Sequence, residues 1–307
     1  MKRKIKDYVI ITLKGMAMGA ADVVPGVSGG TIAFISGIYE ELLQTISNVN
    51  LKLIKTLRKN GFKAAWNQAN GNFIAALFLG IFISVVSLAK GLKWMLENEP
   101  IALWSFFFGL VLASVIYVGK QIKKWNVGSI IFLIIGAVLA YYITTLNPMG
   151  SQNSSPWFMF LAGALAICAM ILPGISGAFI LVLLGAYESV LEAVNTRDIL
   201  TIALIGAGTI VGLLSFSRIL KWLFAKYKDF TLAILTGFIV GSLNKIWPWK
   251  ETLTYRLNSQ GVEVPLKQIS ISPNSYEGEP QLLMALGLSI VGFAVIIILE
   301  KLAVKKY

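Results

Sequence analysis

The chain has 307 residues, 56% of them hydrophobic and only 14% charged, with a mean hydropathy of +0.74. A soluble protein of this size could not cover so much apolar surface, so the composition specifies a polytopic membrane protein. Zero histidines and one cysteine, Cys168, exclude an intrachain disulfide, zinc sites built on His or Cys clusters, and Ser-His catalysis. The net charge of +12 is explained by basic loops beside membrane helices and calls for no nucleic acid.

Taken in order, the chain begins with Lys2-Arg3-Lys4-Ile5-Lys6, which resembles the basic start of a signal peptide. Lys14 cuts the apolar stretch that follows, so no cleavage is expected. An apolar arm from Tyr8 to Val24, carrying Lys14 and Asp22, leads into Pro25-Gly26-Val27-Ser28-Gly29-Gly30-Thr31, and a second arm ends at Glu40-Glu41. Neither arm is a clean transmembrane span. Pro followed by Gly breaks a helix, so the pattern predicts a re-entrant hairpin with its tip at membrane depth. Residues 47 to 71 read as a polar, basic connector with Lys52, Lys55, Arg58, Lys59 and Lys63. Spans are predicted over Phe73–Ala89, Ile101–Val118 and Val127–Ile143, and an uncharged loop, Asn147 to Pro156, closes the first half. The second half offers hairpin arms over Trp157–Leu172 and Gly174–Leu191, then spans near Ile199–Phe216, Leu232–Trp247 and Leu282–Leu299. Between the last two, alternation around Thr252-Leu253-Thr254-Tyr255-Arg256-Leu257 predicts a small β-hairpin within residues 247–280.

The halves repeat one another. At an offset of 148, the segment from Val24 to Glu40 matches Leu172-Pro173-Gly174-Ile175-Ser176-Gly177 and Gly185-Ala186-Tyr187-Glu188 without a gap. At an offset of 128, Gly80, Lys90, Leu92-Lys93-Trp94 and Gly109 fall on Gly208, Arg218, Leu220-Lys221-Trp222 and Gly237. A hairpin plus three spans per half makes an odd number of crossings, so the two repeats are expected to be inverted. The expected fold is an all-α polytopic membrane protein, one membrane domain of two inverted repeats (1–150 and 151–307). Each repeat is a re-entrant hairpin plus three transmembrane helices. With both termini cytoplasmic, inner segments hold 19 Lys or Arg and outer segments 7, with Lys14 in the first arm. The 247–280 loop is then extracytoplasmic.

Two Gly-rich tips at helix starts present backbone N–H groups that suit an anion. Ser28, Thr31 and Ser176 add hydroxyls to the N–H groups of Gly29, Gly30, Gly177 and Ala178. The first tip is the richer and is expected to touch the charged group more closely. Asp22, three residues before Pro25, is a carboxylate at membrane depth: a proton or cation carrier, or a partner for Lys14. Met170 stands in its place in the second half. Glu40 and Glu188 recur at the far ends of the second arms, either functional or simply solvated. Lys90 and Arg218 are matched cations, either phosphate gates on opposite faces or interfacial anchors that snorkel. Trp94, Trp222, Trp247 and Trp249 read as an interfacial belt, and Cys168 as a small packing residue.

The run Gly19-Ala20-Ala21-Asp22-Val23-Val24-Pro25-Gly26-Val27-Ser28-Gly29-Gly30-Thr31, followed by Gly37-Ile38-Tyr39-Glu40, closely resembles the signature of a bacterial membrane family. Its members are the undecaprenyl-phosphate (polyprenyl-phosphate) translocases, or PopT-like proteins, formerly a domain of unknown function. The resemblance covers essentially the whole chain. It implies a flippase that returns the carrier lipid undecaprenyl phosphate from the outer to the inner leaflet of the plasma membrane for cell-wall and surface-glycan synthesis. It places the signature on Asp22, Pro25, Gly26, Ser28, Gly29, Gly30, Thr31 and Glu40. The residue pattern alone gives an anion and a membrane. Its partners would then be the polyprenyl phosphate, membrane lipids and a proton or other coupling ion, with no cofactor or metal. A small-ion exchanger using Asp22 stays open as the rival. A lipid phosphatase or phosphotransferase is disfavoured by the missing histidines and the lack of clustered acids. A scaffold needs no broken helices.

Overall fold

The computed structural model describes residues 3–24, 27–147, 155–257 and 263–304. Pro25 and Gly26 of the first tip lie outside the described residues. The first half contains α1 (Ile5–Val23), α2 (Gly29–Ile35), α3 (Tyr39–Ser47), α4 (Leu51–Gln68), α5 (Gly71–Asn98), α6 (Pro100–Gly119) and α7 (Val127–Thr145). The second contains α8 (Pro156–Ile171), α9 (Gly177–Leu183), α10 (Tyr187–Thr196), α11 (Ile199–Lys226), α12 (Lys228–Ser242) and α13 (Leu282–Val304). A 3-10 turn, Leu243–Ile246, leads from α12 to the antiparallel strands β1 (Lys250–Leu257) and β2 (Glu263–Ser270), the hairpin that alternation predicted.

Among the described residues, five helices are long and apolar enough to cross a membrane, and a sixth span arises if α9 and α10 are one broken segment. With α8 and α13 as shorter apolar helices, the chain is a mostly helical, multi-pass membrane protein. Local chemistry sets the helix starts. Asn50, Asn126 and Asp198 accept hydrogen bonds from the first free N–H groups of α4, α7 and α11, and Pro100 and Pro156 open α6 and α8.

Two features depart from the sequence expectation. The second hairpin arms are not single helices: α2 and α3 break at Gly37 (φ 72°), and α9 and α10 break at Gly185 (φ 70°) with a bend of 104°. Left-handed φ at glycine ends one helix and re-aims the next, and the sequence repeats that glycine in both halves. The basic connector is not a loop but helix α4, kinked at Gly61 (φ 79°) and folded back so that Thr56 Oγ1 donates to Gln68 Oε1 at 2.6 Å.

Close helix packing is set by glycines facing backbone. Gly80 on α5 lies against the carbonyl of Thr12 on α1, and Gly15 on α1 against the carbonyl of Leu77. The same contacts recur between α8 and α11, where Gly208 meets the carbonyl of Phe160 and Gly163 that of Ile205. Each α1 residue is displaced by 148 (Gly15 to Gly163) and each α5 residue by 128 (Gly80 to Gly208). The second pairing crosses between the halves. On α6 and α13, Gly109 meets Ser289 and Gly292 meets Phe106; on α12 and α7, Gly237 meets Leu133 and Gly136 meets Ile234. No side chain fits at these crossings, which is why glycine holds them.

Candidate functional site

The two matched tips meet. Ser28 Oγ, buried between them, donates to the carbonyl of Met170 at 3.2 Å, and Tyr39 OH donates to that of Ile171 at 3.0 Å. Both carbonyls belong to the last turn of α8, whose acceptors have no further helix to bond to. In the other direction the Gly174 N–H, at φ 90° in the second tip, donates to Thr31 Oγ1 at 2.9 Å. The hydroxyls of the first tip therefore close the end of α8, and the second tip in turn donates into the first. Gly30 fits only because it has no side chain, since a Cβ there would stand 2.8 Å from the carbonyls of Met170 and Ile171.

The donors of the first tip are occupied, contrary to the expectation of open N–H groups. Gly29 N–H donates to Asp22 Oδ1 at 2.7 Å, and Gly30 N–H donates to Ser28 Oγ at 3.1 Å. A buried amide must be paired, and here the protein supplies its own anion. Asp22 thus bonds within the first tip, and Lys14 Nζ reaches the carbonyl of Ser36 at the end of α2. The second tip lacks this arrangement. Ser176 precedes α9 without capping it, and Gly177 packs against the Ala166 carbonyl and the Met170 side chain. Pro173 and Gly174 are buried there, and Ser176 is half-buried.

The remaining candidates lie apart from the tips. Helix α5 runs on to Asn98 and α11 to Lys226, 28 residues each, so Lys90 and Arg218 sit within helices, Lys90 two residues beyond the apolar span Gly71–Leu88. Lys90 is exposed. Arg218 donates to the Val49 carbonyl at 3.0 Å and Lys221 to Ser47 Oγ at 3.1 Å, so together they hold the end of α3. Glu40 pairs with Lys228 at 2.6 Å on the surface, and Glu188 is exposed in the first turn of α10. The tryptophans divide. Trp94 and Trp222 are exposed, whereas Trp247 and Trp249 meet edge to face at 5.3 Å and donate to the carbonyls of Ile271 and Pro280. They tether the hairpin segment instead of forming a belt. A separate cavity beside α10 and α11 is lined by Glu192, Thr196 and Asp198, and its two carboxylates make it unsuited to a phosphate. Tyr39, which opens α3 and bonds the end of α8, is the contact that reading for charge overlooked; its recurrence as Tyr187 was the available signal.

Comparison with known proteins places the chain in a family. A family described as undecaprenyl phosphate translocase-like matches residues 18–264, a range that includes both tips. A polyprenyl-phosphate transporter of Vibrio cholerae serotype O1 is 49% identical over 311 residues, covering 99% of this chain and all of that protein. A polyprenyl-phosphate transporter of Staphylococcus aureus is 30% identical over 253 residues, covering 77% of this chain and 85% of that protein. No solved structure matches. The family match over residues 18–264 and the identity to the Vibrio transporter along the whole of that protein make this chain a member of the undecaprenyl phosphate translocase-like family.

Proposed function

We propose that the chain is a flippase that returns undecaprenyl phosphate from the outer to the inner leaflet of the bacterial plasma membrane, for reuse in cell-envelope glycan synthesis. In this scheme residues 1–150 and 151–307 are inverted repeats of one membrane domain, each a re-entrant hairpin with three spans. Both termini are cytoplasmic and residues 247–280 extracytoplasmic. The observation that carries it is the reciprocal bonding of the tips, Ser28 to Met170 and Gly174 to Thr31. Broken helices meeting at corresponding points of two repeats are how transporters build a site in the membrane.

The headgroup passes between the tips formed by Pro25, Gly26, Ser28, Gly29, Gly30 and Thr31 on one side and Pro173, Gly174, Ser176 and Gly177 on the other. The prenyl tail stays in lipid. Asp22 and the phosphate compete for the same Gly29 N–H, and a proton on Asp22 removes the competing charge. That exchange couples proton and lipid, with Glu40 and Glu188 relaying protons towards opposite faces. Lys90 and Arg218 act as the cations that meet the headgroup at each face.

Leaflet-resolved flipping of undecaprenyl phosphate in proteoliposomes of the purified chain tests this. Flipping above that of empty vesicles is expected, with its pH dependence lost in Asp22→Asn. A rate equal to that of empty vesicles, beside an active control flippase, refutes it. The carboxylate inside an apolar arm also fits a small-ion exchanger, which would carry ion flux in vesicles that contain no prenyl phosphate.

A further inference from the structure

Two lysines that sequence reading treats only as loop charge come together beside the second tip. Lys245 lies in the turn Leu243–Ile246, with Nζ 4.7 Å from the centroid of the Phe179 ring on α9. Lys250 opens β1, with Nζ 3.5 Å from the centroid of the Trp104 ring on α6. That Nζ is sealed from solvent and has no hydrogen-bond acceptor among the described residues. Burial, and then the neighbouring Lys245 charge, push the Lys250 ammonium well below the usual lysine range, and no carboxylate among the described residues acts against either effect. Like charges withdrawn from water are unfavourable unless an anion joins them, and an aromatic face offsets only part of that.

The position continues from the transport site. The second tip packs on α12 at Gly174, where a Cβ would stand 2.7 Å from Ser242 Oγ and 2.8 Å from the Phe238 carbonyl. Lys245 follows Ser242 by three residues, and Phe179 belongs to the first turn of α9 just after that tip. We propose that Lys245 and Lys250 form a binding site for a phosphate monoester, framed by Trp104 and Phe179, from which the anion reaches the second tip. A phosphate monoester carries about −1.5 to −2 charges at neutral pH, which two ammonium groups balance. Its oxygens supply the acceptors that Lys250 lacks, and two aromatic faces suit the first carbons of a lipid chain. The naming of that lipid rests on the proposed flipping of undecaprenyl phosphate; the anion site rests on the lysine pair alone.

The test is binding to the purified full-length chain in detergent, read by thermal midpoint and tryptophan fluorescence, with farnesyl phosphate, farnesol and inorganic phosphate as probes. Farnesyl phosphate should bind and farnesol should not. Lys250→Met should raise the thermal midpoint of the probe-free protein, because it removes an isolated buried charge. Lys250→Met and Lys245→Gln should each weaken farnesyl phosphate by about tenfold or more, as loss of a charge-assisted contact predicts. Inorganic phosphate binding as tightly as farnesyl phosphate supports the site with free phosphate as its source. A clear preference for farnesyl phosphate supports a lipid headgroup. Unchanged farnesyl phosphate binding in Lys245→Gln, which keeps most of the side-chain stem and removes the charge, overturns the proposal even if Lys250→Met does not fold. Binding lost in both variants alongside absent flipping in the wild type would leave this site standing and remove the flippase.

Discussion

The bond between Asp22 and the first tip can be tested by a double-mutant cycle on Asp22 and Gly29. A Cβ on Gly29 would lie 2.9 Å from both Cγ and Oδ1 of Asp22, closer than carbon approaches either atom. Gly29→Ala therefore drives the carboxylate away and breaks its 2.7 Å bond to the Gly29 N–H. A hydrogen bond to a charged group contributes about 1.5–3 kcal/mol, and a buried amide left unpaired carries its desolvation penalty. Asp22→Ala breaks the same bond by removing the acceptor. Each single variant should lose on the order of 2–3 kcal/mol. In the double variant the methyl enters the space left by the carboxylate and the bond is lost only once. Its loss should match that of either single variant, giving a coupling of about 2–3 kcal/mol. Denaturant unfolding in detergent micelles, followed by tryptophan fluorescence, measures all four corners. Additive losses would falsify the role of Asp22 as the acceptor for the tip.

Other outcomes follow from the packing and the caps. Gly208→Ala should destabilise by about 1–3 kcal/mol through overpacking against the Phe160 carbonyl, whereas Gly206→Ala, which faces open space, should be neutral or mildly stabilising; equal unfolding midpoints for the two would contradict the crossing of α8 and α11. Tyr39→Phe leaves the Ile171 carbonyl without its donor and should lower stability by about 1–3 kcal/mol while preserving helix content by circular dichroism. Asp198 is held below the usual carboxylate range by Thr201 Oγ1 and the N–H groups of Thr201 and Leu200. Its cap contribution to α11 is full above about pH 4 and is lost as pH falls through the lowered folded value. The stability gap between wild type and Asp198→Ala should therefore close in acid, and a gap constant down to pH 2 would exclude the cap. For topology, single cysteines in a Cys168→Ala background should react with an impermeant thiol reagent from outside at Glu277 but not at Asn60. Outside labelling at Asn60 would break the inverted-repeat assignment.

Membrane class, the five long apolar spans, the hairpin in the 247–280 segment and the duplicated Pro-Gly-x-Ser-Gly tip were all determined by the sequence itself. These are local properties: apolar length, alternation and the backbone needs of Pro and Gly act within a few residues of where they are written. Even the glycines that set the helix crossings were visible as matched positions, Gly80 with Gly208 and Gly109 with Gly237. Tertiary structure alone decided what each polar group bonds to. Asp22 is as compatible with Lys14 two turns away as with Gly29, and only the fold of the first tip brings the Gly29 N–H to its carboxylate. Ser28 and Thr31 read as donors for a ligand, yet closing the tips commits them to the Met170 carbonyl and the Gly174 N–H. Lys245 and Lys250 are separated in sequence by two tryptophans, an isoleucine and a proline, and look like ordinary loop charge. Only the packing of β1 and the preceding turn against α6 and α9 withdraws them from water together, because burial and pairing depend on partners from distant parts of the chain.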